Sequence, residues 1–292
     1  MARPRASLSG AVLLAPLLFL LAHAPRENNA RGAADGEPTG RNAMLPKYEE
    51  VCYELLRPEQ VKERRQECPI AYIPAGSLEW HSFHLPLGTD ALKAHAICCE
   101  AALRHGGVVL PPFYQGLVGQ GNWGPQAWSG YTLGFNTPEM FEAAVLGMAK
   151  ALVAAGWKVI VGVTGHDVAE QRDAMARAIQ TATAGKGATG FALMEGELRS
   201  PGDGLPFGMD HAAAWETSCL LYAYPKKVDL QRLRVRTLSA DEQFEMKGPE
   251  GMGGRNPLKY ASAALGRQIV ETMGERIGAR ARAELEKQAA QP

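Results

Sequence analysis

The stretch Ala71-Tyr72-Ile73-Pro74-Ala75-Gly76-Ser77-Leu78-Glu79-Trp80-His81-Ser82-Phe83-His84-Leu85-Pro86-Leu87-Gly88-Thr89-Asp90 passes from an apolar run into the densest polar cluster of the chain. The apolar run, closed by a glycine, has the pattern of a buried strand. Val108-Val109-Leu110 and Val159-Ile160-Val161-Gly162-Val163 repeat it, and a further strand is expected over Gly190 to Met194. Helical stretches lie between: Ala91 to Arg104, then Pro138 to Ala155 with Phe141, Val145, Met148 and Leu152 at helical spacing, then Ala169 to Thr183. Thr137 is placed as N-cap of the second, with Pro138 at its first position. Such alternation predicts one α/β domain with a mainly parallel sheet covered by helices, whose sites form beyond the carboxyl ends of the strands. Long Gly- and Pro-bearing loops are expected over 200–209 and 247–257, and a last, charged helix over about Leu258 to Ala289 with a frayed end.

Around this core the chain has ordinary globular composition: 292 residues, 46% hydrophobic, with 31 Lys+Arg against 31 Asp+Glu. That balance, without any basic run, argues against a nucleic-acid partner, and the apolar content argues against disorder. Residues 1–24 carry two arginines, an apolar core from Ala11 to Ala22 and a closing Ala22-His23-Ala24, the layout of a secretory signal peptide. The apolar core is about a dozen residues, short of the roughly 20 a membrane-spanning helix needs, so no membrane association is expected after cleavage. A secreted or periplasmic protein follows, with residues 25–44 as a flexible linker and the folded domain over 45–285. The five cysteines show no C-x-x-C spacing; a bridge between Cys52 and Cys68 and buried free thiols both remain open.

Glu79, His81, His84 and Asp90 fall within twelve residues just past a strand, and carboxylates with imidazoles are ligands for zinc, manganese or iron. On local grounds Asp90 alternatively caps the helix that follows. Two further segments add to the cluster. Gly165-His166-Asp167 follows a buried strand, where an open α/β sheet presents its ligands, and Asp210-His211 precedes Glu216-Thr217-Ser218. The Gly-rich segment 119–128 offers Trp123 and Trp128 either as an aromatic wall of a pocket or as packing beneath the loop.

The motif Ile73-Pro74-x-Gly76-Ser77-x-Glu79-x-His81-x-x-His84-Leu85-Pro86-x-Gly88-Thr89-Asp90, followed by Gly165-His166, His211-Ala212-x-x-x-Glu216-Thr217-Ser218 and Gly251-x-Gly253-Gly254-x-Asn256-Pro257, resembles the creatininase (creatinine amidohydrolase) family. The resemblance covers about residues 45–280. It implies a three-layer α/β/α fold, two divalent metal ions (Zn, Mn or Fe), a hexameric assembly and hydrolysis of a C–N bond in a small amide. By resemblance, Glu79 and His81 match ligands of different ions, Asp90 the carboxylate between them, and His166 a further ligand. Asp210 and His211 match groups that assist catalysis, and Asp167 lies beside the substrate. Cations sharing Asp90 would lower the pKa of a water, and His211 would pass a proton to the leaving nitrogen. One departure stands out. Creatinine-hydrolysing members carry a ligating Glu two residues after the His matching His166, and here Val168 takes that place. Asp167 or Glu216 is left to supply the carboxylate; failing that, the chain is a metal-poor, non-catalytic binding protein for a small amide.

Overall fold

The computed structural model describes residues 44–118, 131–206, 208–233, 243–244 and 251–290. The proposed signal peptide, all but the last residue of the linker, the Trp123–Trp128 loop and the start of the 247–257 loop lie outside the described residues. In chain order the elements are α1 (Pro58–Glu67), β1 (Ile70–Ala75), α2 (Thr89–His105), β2 (Val108–Val109), α3 (Pro138–Ala154), β3 (Val159–Thr164), α4 (Ala169–Thr183) and β4 (Thr189–Met194). They are followed by α5 (Ala214–Ala223), β5 (Gln243–Phe244), β6 (Gly254–Arg255), α6 (Pro257–Tyr260) and α7 (Ala263–Ala289). No helix among the described residues is long and apolar enough to cross a membrane.

β1 to β4 form one parallel sheet in the order β2-β1-β3-β4. Both its faces are covered, which is why β1 and β3 are buried at every position and read as unbroken apolar runs rather than alternating ones. The strand period sends Ala71, Ile73, Ala75 and Ile160 to one face, where Phe141, Val145 and Ala149 of α3 and Met175 and Ile179 of α4 pack. Ile70, Tyr72, Val159, Val161 and Val163 face the other way, onto Ile97 of α2, Trp215 of α5 and Ile269, Met273 and Ile277 of α7. The result is the expected three-layer α/β/α sandwich.

One sequence expectation is corrected. The final helix is interrupted: α6 ends at Tyr260, and Ser262, with an extended backbone, starts α7 by accepting a hydrogen bond from Leu265 N. Its own N–H is held by Ser218 Oγ of α5, which anchors the break. α7 then continues to Ala289, one face buried by Ile269, Met273, Ile277 and Ala281, rather than fraying early. Of the two alternatives left open for the cysteines, the structure holds the buried free thiols, at all five positions. Cys52 faces His95 and Cys99 of α2, whereas Cys68 bonds the His105 carbonyl and meets Arg282 of α7.

The sheet order makes the chain run from β1 outward to β2 and return past β1 to β3. A crevice opens outside the carboxyl ends of β1 and β3, where ligands bind in open α/β sheets. The amino end of α2 is pressed into it. A Cβ on Gly165, just past β3, would stand 2.1 Å from the Asp90 carbonyl oxygen; one on Gly76, just past β1, would stand 2.3 Å from Ala91 N. Gly165→Ala must push α2 outward, so a loss of about 3 kcal/mol is expected, a drop of roughly 6–12 °C in thermal midpoint for a domain of this size. Gly202→Ala, which meets nothing within 4 Å, serves as the control and should shift the midpoint by no more than about 2 °C.

Candidate metal centre

Four segments deliver polar side chains to this crevice. The loop after β1 brings Glu79 and His81, the first turn of α2 brings Asp90, the turn after β3 brings His166, and the approach to α5 brings His211 and Glu216. Asp90 divides its carboxylate between two sides: Oδ1 lies 3.0 Å from His81 Nε2, and Oδ2 lies 3.1 Å from His166 Nδ1. Glu79 Oε1 stands 3.2 Å from His166 Nδ1, and Glu216 Oε2 stands 3.4 Å from His81 Nε2. Two trios therefore share Asp90, Glu79–Asp90–His166 and His81–Asp90–Glu216, the candidate ligand atoms of each within 4.8 Å of one another. His211 closes the group, stacked on His81 at 4.5 Å with Nδ1 3.7 Å from Glu79 Oε1.

Backbone carbonyls fix which nitrogen faces the centre. His81 Nδ1 lies 3.1 Å from the Glu79 carbonyl, which can only accept; Nδ1 therefore carries a hydrogen and Nε2 points at the carboxylates. His211 Nε2 donates to the Trp80 carbonyl at 2.8 Å, so its lone pair sits on Nδ1. The residues after these two histidines, Ser82 (φ 59°) and Ala212 (φ 53°), are the non-glycine residues with positive φ among those described. Each costs about 1–3 kcal/mol that the surrounding packing must offset. His166 is set by Thr164, whose Oγ accepts from His166 N at 3.2 Å and from Gln171 Nε2 at 2.7 Å.

Charge is distributed unevenly. Burial opposes a proton on His81, but Glu216, Asp90 and Glu79 outweigh it and raise its pKa to about 9. His166, likewise buried, is held well above the ordinary histidine range by Glu79 and Asp90. Burial together with the His81 charge lowers His84 to about 4 and moves His211 downward, so both are neutral near pH 7. Behind Glu216 lies Lys93 of α2, almost wholly buried. Its Nζ bonds Glu216 Oε1 and stands 3.0 Å from Glu195 Oε1. Burial disfavours that ammonium, yet Glu195 and Glu216 hold its pKa well above the usual lysine value.

Several sequence-derived candidates sit elsewhere or do other work. Asp210 accepts from Trp215 N at 2.7 Å and Glu216 N at 3.2 Å, so its carboxylate caps α5 instead of facing the cluster. Asp167 is exposed and joins no metal-competent group among the described residues, leaving Glu216 as the carboxylate that converges with His81. Asp90, set against capping alone, has its oxygens on the two histidines, with Ser77 N at 3.3 Å. His84 bonds Thr217 Oγ at 2.8 Å and ties the first motif to α5. Trp123 and Trp128 lie outside the described residues. Sequence reasoning missed Lys93 and Glu195, and it missed Trp80, which packs on Phe83 at 4.9 Å and Tyr131 at 5.3 Å. A lysine three residues after Asp90, inside an otherwise apolar helical run, was the available signal for the first.

The donor set, hard carboxylate oxygens with imidazole nitrogens converging in a buried pocket, fits zinc, manganese or iron. Comparisons agree with the fold. The sequence model of the creatininase family, described as creatinine amidohydrolase, matches residues 54–280. Among solved structures, "Creatininase Mn" is similar at 23% identity and a TM-score of 0.63, over 80% of this chain and 98% of that one. A putative creatinine amidohydrolase from Bacteroides fragilis NCTC 9343 is similar at 22% identity and a TM-score of 0.63, over 84% and 98%. A mutant creatininase complexed with creatine is similar at 23% identity and a TM-score of 0.61, over 80% and 98%. No curated protein matches the chain.

A divalent ion at either trio competes with the protons that the carboxylates draw onto His81 and His166. Affinity for Mn(II) or Zn(II) is therefore expected to rise with pH above 6, by about tenfold per pH unit for each proton displaced, and to level off only once the histidine of the occupied trio has lost its extra proton. Calorimetric titration in buffers of different ionisation enthalpy checks this. Proton release on binding at pH 7 is expected; an affinity flat across the range contradicts the arrangement.

Proposed function

The chain belongs to the creatininase (creatinine amidohydrolase) family, and from that premise we propose that it is a divalent-metal-dependent hydrolase cleaving the C–N bond of a small linear or cyclic amide. The observation that carries the reading is the division of Asp90 between His81 and His166, with Glu79 and Glu216 completing the two trios. Glu79, Asp90 and His166 are the residues that would hold a divalent ion, and His81 and Glu216 face them across Asp90. Solved relatives include a manganese form, a Zn–Zn form and a creatine complex, which supports both the metal and the substrate class. A divalent ion there supplies a Lewis acid and makes a water nucleophilic near neutral pH.

The rest falls to side chains of this protein. His211, neutral and with its Nδ1 lone pair facing Glu79, takes a proton at Nδ1 and returns it to the departing nitrogen. The Trp80 carbonyl holds that ring in the required tautomer, and the His81 ring beneath keeps it from turning. Trp80, Phe83 and Tyr131 form an aromatic patch beside the loop, suited to the flat face of an amide. The leader-like sequence of residues 1–24 supports export, so the mature chain recovered outside the cytoplasm should begin at Pro25.

The test is a panel of small amides, creatinine among them, incubated with metal-loaded protein while amine release is followed. His211→Ala is expected to lower kcat by about 10²–10⁴ with metal content unchanged, whereas Asp90→Asn removes both metal and turnover. Binding of an amide that stays intact through long incubation with metal-loaded protein would overturn the hydrolase and favour the non-catalytic binding protein.

A further inference from the structure

We propose that the Lys93 ammonium takes the place of a second divalent ion in the His81–Asp90–Glu216 half of the centre, so that the protein holds one ion tightly, at Glu79–Asp90–His166. This rests on the metal-hydrolase reading of the same centre and specifies how many ions it uses.

The two trios are not equivalent. In the first, Glu79 and Asp90 meet only histidines among the described ion pairs; no Lys or Arg of the described residues reaches either carboxylate. No fixed cation is paired with its negative charge directly; Lys93 acts on Asp90 only through space. In the second, Glu216 already has a donor on each oxygen. Oε1 takes the Lys93 ammonium, and Oε2 takes the Ala212 N–H at 2.6 Å, the latter held at the mouth of α5. Each oxygen keeps a further lone pair, but an ion on Glu216 would have to share this one carboxylate with the ammonium.

The ammonium has nowhere else to go. Lys93 sits one turn after Asp90 on α2, almost wholly buried, and its other partner, Glu195 Oε1 at 3.0 Å, is fixed by Trp215 Nε1 at 3.1 Å. A divalent ion on Glu216 would stand across a single carboxylate from this cation, in a site where little water screens their repulsion. The turn after His166 brings no compensation: Val168 has no donor, and the Asp167 carboxylate is exposed. Lys93 is thus a positioning residue. It orients Glu216 toward His81 and supplies one fixed positive charge where a second ion would supply two exchangeable ones.

Manganese titration of the full chain, read by elemental analysis and electron paramagnetic resonance, tests this without reference to turnover. The wild-type protein is expected to take one tight Mn(II) with the spectrum of an isolated ion. Lys93→Met should take a second, magnetically coupled ion at least about tenfold more tightly than wild type does, and Lys93→Arg should stay at one. Glu216→Gln guards against a Lys93→Met protein that does not fold: tight-site affinity should stay within about threefold, since Glu216 does not hold that ion. Two ions of equal affinity in the wild type, a folded Lys93→Met that stops at one, or a more than tenfold loss in Glu216→Gln would each overturn the inference and leave the hydrolase reading standing. A wild-type chain that takes no ion at all overturns that reading, and this inference with it.

Discussion

Everything in the crevice hangs on the closeness of Asp90 to two glycines. β1 and β3 end side by side, and the first turn of α2 is driven between their ends until its backbone touches Gly76 on one side and Gly165 on the other. Nothing larger than hydrogen fits there. The reward is that a carboxylate at the positive end of a helix reaches both strand exits at once, and one residue serves His81 and His166 together. The same contact sets the level of Lys93 one turn deeper, where it meets Glu216 of the neighbouring α5 and Glu195 at the end of β4.

Seen as electrostatics, the site is a nest of carboxylates that the protein balances in two ways. One is permanent, through Lys93 on Glu195 and Glu216. The other is exchangeable, through protons on His81 and His166 that a divalent ion can replace. Burying a lysine is costly unless its partners are in place, and here they come from α5 and the end of β4. The fold therefore requires those elements to dock on α2 before the charge is tolerated, which couples the integrity of the centre to the packing of a whole helical layer.

The sheet and its helices were legible in the sequence because their signals are local. Ala169–Thr183 and the Thr137-Pro138 start depend on spacing and capping within a few residues, and the structure places them as expected. Glu79, His81 and His166 were legible as candidates because they follow strands, where the architecture itself gathers side chains, and Asp90 because it opens the helix that comes next. What escaped was what depends on distance in the chain. Lys93 reads as a surface lysine until α5 and Glu195 are seen to enclose it, 123 and 102 residues away. Asp210 looks catalytic beside His211, yet its backbone geometry turns it to the amide groups of α5. The break at Ser262 was masked by helix formers on both sides, and only the Ser218 hydroxyl across the interface gives it a cause.

The histidine-rich motif also separates into two duties once the partners are known. His81 and His211 face the centre; His84, the same residue type three positions on, is neutral and bonded to Thr217, and works as a strut. The difference lies in backbone shape. Both site histidines precede a residue in the left-handed region, Ser82 and Ala212, where a glycine would sit without strain. A glycine would also let the loop relax to other conformations. Side chains at these positions make the turn more expensive but narrower, and the cost is offset by the pairing of His211 with Gly253, whose backbone groups exchange two hydrogen bonds at 2.8 Å. The late glycine-rich stretch thus acts on the centre through the main chain, holding His211 where its ring can lie flat on His81.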